Sequence, residues 1–175
     1  TIPPEAFPEL QRHPARYWQR IALAAWLLAT SGISLQLEVS EHLAQLLGIH
    51  NPESGSIKRL LNVTLYEEHG LVERTKEPIH LVYQERVHLL QLSARGRSLA
   101  SALGIQPVTS EWQQFRDHHR GDTDQRHTAA CLKFAYFFRA KGCHVEVLPK
   151  VTGRTRPDLL ATDNGENFYL EVETK

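Results

Sequence analysis

The apolar positions of residues 14–31 recur at helical spacing: Tyr17, Ile21, the pair Ala24–Ala25 and Leu28 line one stripe, and Gly32 follows as a stop. Residues 33–38 alternate apolar and polar and predict a short strand, after which Ser40 is placed to cap a helix over 41–47 that ends at Gly48. Ser54 or Ser56 then caps a further helix in which Ile57, Leu60, Leu61 and Leu65 face inward and Lys58, Arg59 and Asn62 face out, with Gly70 ending it. Residues 71–75 read as a strand, 76–78 as the tip of a hairpin, and 79–92, rich in Val, Leu and Tyr, as its return. Ser93 opens a helix reaching Leu103.

The second half carries its own series. Residues 104–110 hold Gly104 and Pro107 and read as a boundary, and 111–120 as a connecting helix with Trp112 and Phe115 packed inward. Asp122–Asp124 would cap a helix over 124–141, whose apolar side is predicted to carry Ala130, Phe134, Phe137 and Phe138 before Gly142 stops it. Residues 143–148 alternate as a strand with Val145 and Val147 inward. Residues 157–162 and 167–174 flank Asn164–Gly165, the dipeptide best suited to a two-residue type I′ turn. That turn sets Asp163 opposite Glu166 and Asp158 opposite Glu171. Alternation then puts Glu171, Glu173 and Lys175 on the face of Asp158, and Phe168, Leu170 and Val172 on the other.

Helix, strand, helix, helix, hairpin, helix is the order of a winged helix-turn-helix. The phrases Gly70-Leu71-Val72-Glu73-Arg74 and Leu92-Ser93-Ala94-Arg95-Gly96-Arg97 resemble those of bacterial winged-helix regulators. The resemblance covers residues 14–104 and implies a recognition helix in the major groove, with Ser56, Lys58, Arg59 and Asn62 facing DNA and Arg74 and Lys76 meeting phosphate from the wing. Glu67, Glu68, Glu73, Glu77 and Glu85 dilute that basic face, and winged helices also serve as protein-interaction modules.

Like charges gathered on a strand pair repel, and a divalent cation would relieve the repulsion. Pro157-Asp158 followed by Glu171-Val172-Glu173-Thr174-Lys175 resembles the motif of the PD-(D/E)XK nuclease superfamily, read either as E-x-K at Glu173 and Lys175 or as E-x-E at Glu171 and Glu173. The superfamily core is a helix followed by three strands in meander order, matching the elements predicted for 124–175. The resemblance implies Mg²⁺ or Mn²⁺ held by Asp158, Glu171 and Glu173, with Lys175 aligning the attacking water. Lys150, Arg154 and Arg156 stand near enough to meet a phosphate backbone. The plainer reading is a solvated hairpin in which Arg156 neutralises Glu173 across the ladder.

His118, His119, His127 and Cys131 suggest zinc, and His127 with Cys131 has the spacing of two ligands on one helix face. No C-x-x-C or H-x-x-x-H pair completes a four-ligand set, so His127 reads better as capping, packing or reaching the acidic site from its helix. Arg126-His127 and Arg156-Pro157-Asp158 are similar to segments of the plasmid replication-relaxation family, which fuses winged helices to such a domain.

Composition narrows the partners. Of 175 residues 41% are hydrophobic, and the formal charge is zero, with ten charges of each sign on either side of the Gln106–Pro107 bond. Any DNA contact must therefore come from local patches. Two cysteines make no disulfide framework and suit a reducing, cytoplasmic setting, and the longest apolar run, 21–29, is too short to span a membrane. The start at Thr1 and the stop at Lys175, where the nuclease fold would continue, suggest a fragment. The expected architecture is α/β (α+β), with an N-terminal arm at 1–13, a winged helix at 14–104, a linker at 105–123 and a partial nuclease-like domain at 124–175. The expected function is metal-dependent hydrolysis of DNA in a mobile-element, plasmid or defence context. The alternative is a non-catalytic DNA-binding or regulatory protein of plasmid replication or transposition, with the C-terminal fold as scaffold. Expected partners are DNA, other replication or transposition proteins, and a second copy through α-helical residues 14–31, where Trp18 and Trp26 fall on different sides of the apolar stripe.

Overall fold

The computed structural model describes residues 3–119, 125–153 and 156–174, the side chain of Tyr83 aside. The chain is mixed α/β, with six α-helices and small antiparallel sheets among the described residues. Arg154 and Lys175, both expected at the site, and the cap expected at Asp122–Asp124 lie outside the described residues.

Helix α1, Ala15–Ser31, buries Trp18, Ile21, Ala24, Ala25 and Leu28, and Gly32 closes it in the left-handed region (φ +68°) with its N–H on the Leu28 carbonyl. Trp26 stays 44% exposed. Helix α2 is Gln36–Leu46, beginning five residues before the expected start, and the strand expected over 33–38 reduces to a single bridge between Leu35 and Leu89. A distant partner accounts for the difference: Glu38, 2% exposed, is held on the helix by the guanidinium of Arg139, 101 positions away. Val39, Leu43 and Ala44 complete the inner face.

Helix α3 starts as Gly55–Lys58, where Ser54 Oγ accepts from the Ile57 N–H at 3.4 Å, and continues as a π-helical stretch, Arg59–Glu68. Its inner residues are the expected Ile57, Leu60, Leu61 and Leu65, each 1–2% exposed. Strands β1 (Val72–Arg74) and β4 (Leu90–Leu92) pair antiparallel. Strands β2 (Ile79–His80) and β3 (Arg86–Val87) prolong the hairpin, so its tip lies at Val82–Gln84 and not at 76–78. Pro78, which has no N–H to give a ladder, stands in the interruption between the two pairs.

Helix α4, Ala94–Ala102, is capped by Ser93, whose Oγ accepts from the Gly96 N–H at 3.0 Å and donates to the Gly70 carbonyl at 2.6 Å. Gly96 sits so close to the preceding strand that a Cβ there would lie 1.9 Å from the Leu71 carbonyl oxygen. Only glycine fits that approach.

Helix α5, Glu111–His118, occupies the expected linker and carries Trp112 and Phe115 inward. They belong to a second core that both halves line: Leu35, Ile79, Val87 and Leu89 from the first half, and Ala129, Leu132, Ala135, Val147 and Leu159 from the second. Helix α6, Gln125–Ala140, turns Thr128, Ala129, Cys131, Leu132 and Ala135 inward. The side expected to be inside is outside, with Phe134 and Phe137 47% and 51% exposed. The reason is anchoring from other elements: Lys133 pairs with Glu85, Tyr136 donates to Glu41 at 2.8 Å, and Arg139 binds Glu38 and Glu111, which fixes the rotation of α6.

Strands β5 (His144–Val147), β6 (Leu159–Asp163) and β7 (Glu166–Leu170) form the expected meander. The β6–β7 register pairs Asp163 with Glu166, and Asn164 and Gly165 take positive φ (47° and 85°), as a type I′ turn requires. Leu170 and Val172 pack against the second core, as the alternation predicts. No helix among the described residues is long and apolar enough to cross a membrane.

Candidate functional site

Among the described residues, most of the side chains expected to carry function lie in two places: the outer face of α3, and the junction of α5, α6 and the start of β6.

On α3, Ser56, Lys58 and Arg59 are exposed, and Lys58 Nζ lies 3.9 Å from Glu53. Asn62 is drawn inward: its Oδ1 accepts from Arg74 Nη1 at 2.7 Å and from Gln36 Nε2 at 3.1 Å. Arg74 also stands over the Tyr66 ring, 5.3 Å from its centre. Asn62 and Arg74 thus brace α3 against β1 and α2. Lys76 is exposed at the rim of a cleft of about 610 Å³ that Arg74, Trp112 and Arg126 also line.

The second place is organised by Asp158, which sits one residue before the β6–β7 ladder. Its N–H donates to the Leu170 carbonyl at 3.0 Å, and its own carbonyl accepts from the Leu148 N–H at 2.8 Å. In a regular ladder Asp158 would form a non-hydrogen-bonded pair with Glu171; its N–H instead takes the carbonyl of Leu170, already the partner of Leu159, so the pairing slips by one residue here and the carboxylate reaches His127 on α6. Oδ2 accepts from the Val172 N–H at 2.8 Å, and Oδ1 lies 3.2 Å from His127 Nε2. Cys131, one helical turn on and 0% exposed, brings its Sγ to 3.5 Å from the same His127 nitrogen.

The three potential ligand atoms of His127, Cys131 and Asp158 all lie within 4.8 Å of one another. Glu171 and Glu173 are exposed and stand outside this group. The expected all-oxygen set for Mg²⁺ or Mn²⁺ is thus not assembled among the described residues: at Asp158 the donors are an imidazole, a thiol and one carboxylate, a poor fit to those hard ions. Arg156, expected across from Glu173, directs its guanidinium to the Leu148 carbonyl, with Nε at 2.7 Å.

Around this cluster the end of α5 adds two imidazoles. His119 stacks on Phe115 (ring centres 6.1 Å apart) and meets His127 edge-on at 5.3 Å. Its Nε2 is buried and has no hydrogen-bond partner among the described residues. The His118 pKa lies below its ordinary value because of burial first, then the neighbouring His119, Arg156 and His127, with Asp158 opposing. A separate pair, His13 and His69, sets Nε2 against Nε2 at 2.7 Å beside Glu68, and burial followed by the His13 charge lowers the His69 pKa.

The spacing of His127 and Cys131 was visible in the sequence as one helix face. The third member, Asp158, joins them only through the strand-end shift. The buried Glu38–Arg139–Glu111 network had no local signal, since its members come from three separate helices. No family model matches this chain, and no curated protein or solved structure is significantly similar to it.

Proposed function

We propose that this chain is a DNA-binding protein of the winged-helix type that uses α3 to engage the major groove. In this reading the C-terminal α-β-β-β unit, ordered like the core of PD-(D/E)XK nucleases, is a scaffold. The observation that carries it is the division of α3: Ile57, Leu60, Leu61 and Leu65 are buried, while Ser56, Lys58 and Arg59 face solvent on a helix braced through Asn62. The order of elements around α3, with a single-residue bridge before α2 and a hairpin after α3, supports the same reading. The hairpin departs from a free wing, because Ile79 and Val87 are buried in the second core and Glu85 is paired with Lys133 on α6. Among the described residues expected at the winged-helix interface, that leaves Lys76 and the exposed α3 residues as the groups for phosphate. A role in plasmid or other mobile-element maintenance follows from the resemblance of Arg126-His127 and Arg156-Pro157-Asp158 to the replication-relaxation family.

The scaffold reading is favoured over hydrolysis because Asp158 accepts from the Val172 N–H and faces His127, and it forms no three-ligand group with Glu171 and Glu173. The test is duplex binding measured as a function of salt. Lys58→Ala with Arg59→Ala should weaken binding and lower the salt slope by up to about two, one for each phosphate that the variant leaves to its counterions. Unchanged affinity and slope in the double variant would remove α3 from the interface and favour a protein partner.

A further inference from the structure

We propose that His127, Cys131 and Asp158 form the core of a binding site for a borderline transition-metal cation, Zn²⁺ being the ion whose chemistry the donors fit. The site is independent of the α3 face and of the all-oxygen metal set expected for a nuclease.

Distances make the first argument. Ligands held about 2.0–2.3 Å from a tetrahedral zinc lie about 3.3–3.6 Å from one another. The observed separations are 3.5 Å from Cys131 Sγ to His127 Nε2 and 3.2 Å from His127 Nε2 to Asp158 Oδ1. Two of the three separations thus match the edges of a coordination tetrahedron, and the third, from Cys131 Sγ to an Asp158 oxygen, is no more than 4.8 Å.

The second argument is hydrogen-bond satisfaction. His127 presents one nitrogen, Nε2, to both the sulfur and the carboxylate. That nitrogen carries either one proton or one lone pair, so it can donate to the carboxylate or accept from the thiol but not both. A cation at the common centre would satisfy all three groups at once.

The surroundings supply the rest. His119 Nε2 is a buried nitrogen without a hydrogen-bond partner among the described residues, on a ring 5.3 Å from that of His127. It lies outside the group of three and would join as a fourth donor when the ion binds. The second oxygen of Asp158 accepts from the Val172 N–H, the kind of outer bond that fixes the direction of a coordinating carboxylate. Burial is deep, with Cys131 0% exposed and the side chains of His127 and Asp158 13% and 14% exposed, which suits a closed structural site. A bound ion would join α6, β6 and the end of α5.

The experiment titrates the chelator-treated full chain with Co²⁺ and then displaces it with Zn²⁺. The expected result is one Co²⁺ per chain, with a thiolate-to-metal charge-transfer band and the visible absorption of tetrahedral Co²⁺, both removed by Zn²⁺. The chain has two cysteines, so Cys131→Ser should abolish the charge-transfer band and Cys143→Ser should leave it intact. Asp158→Asn, at a less buried position, should weaken Zn²⁺ binding by about 100-fold or more, and it serves if Cys131→Ser does not fold. A wild-type chain with no charge-transfer band overturns the proposal. So does a band that survives Cys131→Ser, unchanged Zn²⁺ affinity in Asp158→Asn, or binding lost in His13→Ala and retained in Cys131→Ser.

Discussion

Replacing Arg139 by Met should be among the most damaging single changes in this protein, and its effect should depend on pH in a defined direction. The guanidinium donates to Glu38 at 2.6 and 2.7 Å and to Glu111 at 2.7 Å, tying α6 to α2 and α5. The side chains of Glu38 and Glu111 are only 3% and 9% exposed. Removing the cation strands two carboxylates in the second core, a loss of about 3–5 kcal/mol at neutral pH. Burial already raises the Glu111 pKa above its ordinary 4.5 against the attraction of Arg139, and without that attraction it rises further. A carboxyl raised in this way contributes stability below pH 4.5 and loses it as pH climbs through the folded value. The deficit of Arg139→Met relative to wild type should therefore be large at about pH 7 and shrink toward about pH 4.5. Urea unfolding followed by tryptophan fluorescence is the assay, since Trp18 and Trp112 are buried one in each core. With a slope of about 2 kcal/mol/M, the midpoint should fall by about 1.5–2.5 M at neutral pH. Replacing Glu38, Glu111 and Arg139 together by apolar residues should recover most of the loss. A single variant within about 1 kcal/mol of wild type at neutral pH, or a deficit equal at both pH values, would refute the reasoning.

Gly96→Ala should destabilise by about 2 kcal/mol or more, because the backbone of α4 and Leu71 must part to admit a Cβ, outweighing the roughly 1 kcal/mol gained in helix propensity. A melting temperature equal to wild type would count against that close approach. Millimolar Mg²⁺ should raise the melting temperature no more than NaCl at equal ionic strength, given that Asp158, Glu171 and Glu173 do not form one ligand group. Stabilisation specific to Mg²⁺ that disappears in Asp158→Asn would instead restore the oxygen-ligand site.

Much of the secondary structure was legible because its signals are local. The α1 stripe and its Gly32 stop, the inner face of α3, the Ser93 cap and the Asn164–Gly165 turn with its register all follow from propensity, capping and turn geometry within a few residues. The misplaced elements share a different cause. The early start of α2 and the inward face of α6 were decided by Arg139, Tyr136 and Lys133 reaching Glu38, Glu41, Glu111 and Glu85. For α6 the large aromatics outweighed the small residues in the apolar pattern. Close packing against the sheet instead admits Ala129, Leu132 and Ala135 and leaves Phe134 and Phe137 outside.

The candidate site divides along the same line. By itself the sequence determined that His127 and Cys131 share a helix face, that Lys58 and Arg59 lie opposite a buried stripe, and that Asp158 lies at the start of a strand, since each depends only on helical or strand period. Only the tertiary structure decided that Asp158 faces His127 and Cys131 and forms no three-ligand group with Glu171 and Glu173. A one-residue shift at a strand end reverses the direction of a side chain, and the hydrogen bonds that set this shift, from Leu148, Leu170 and Val172, come from neighbouring segments.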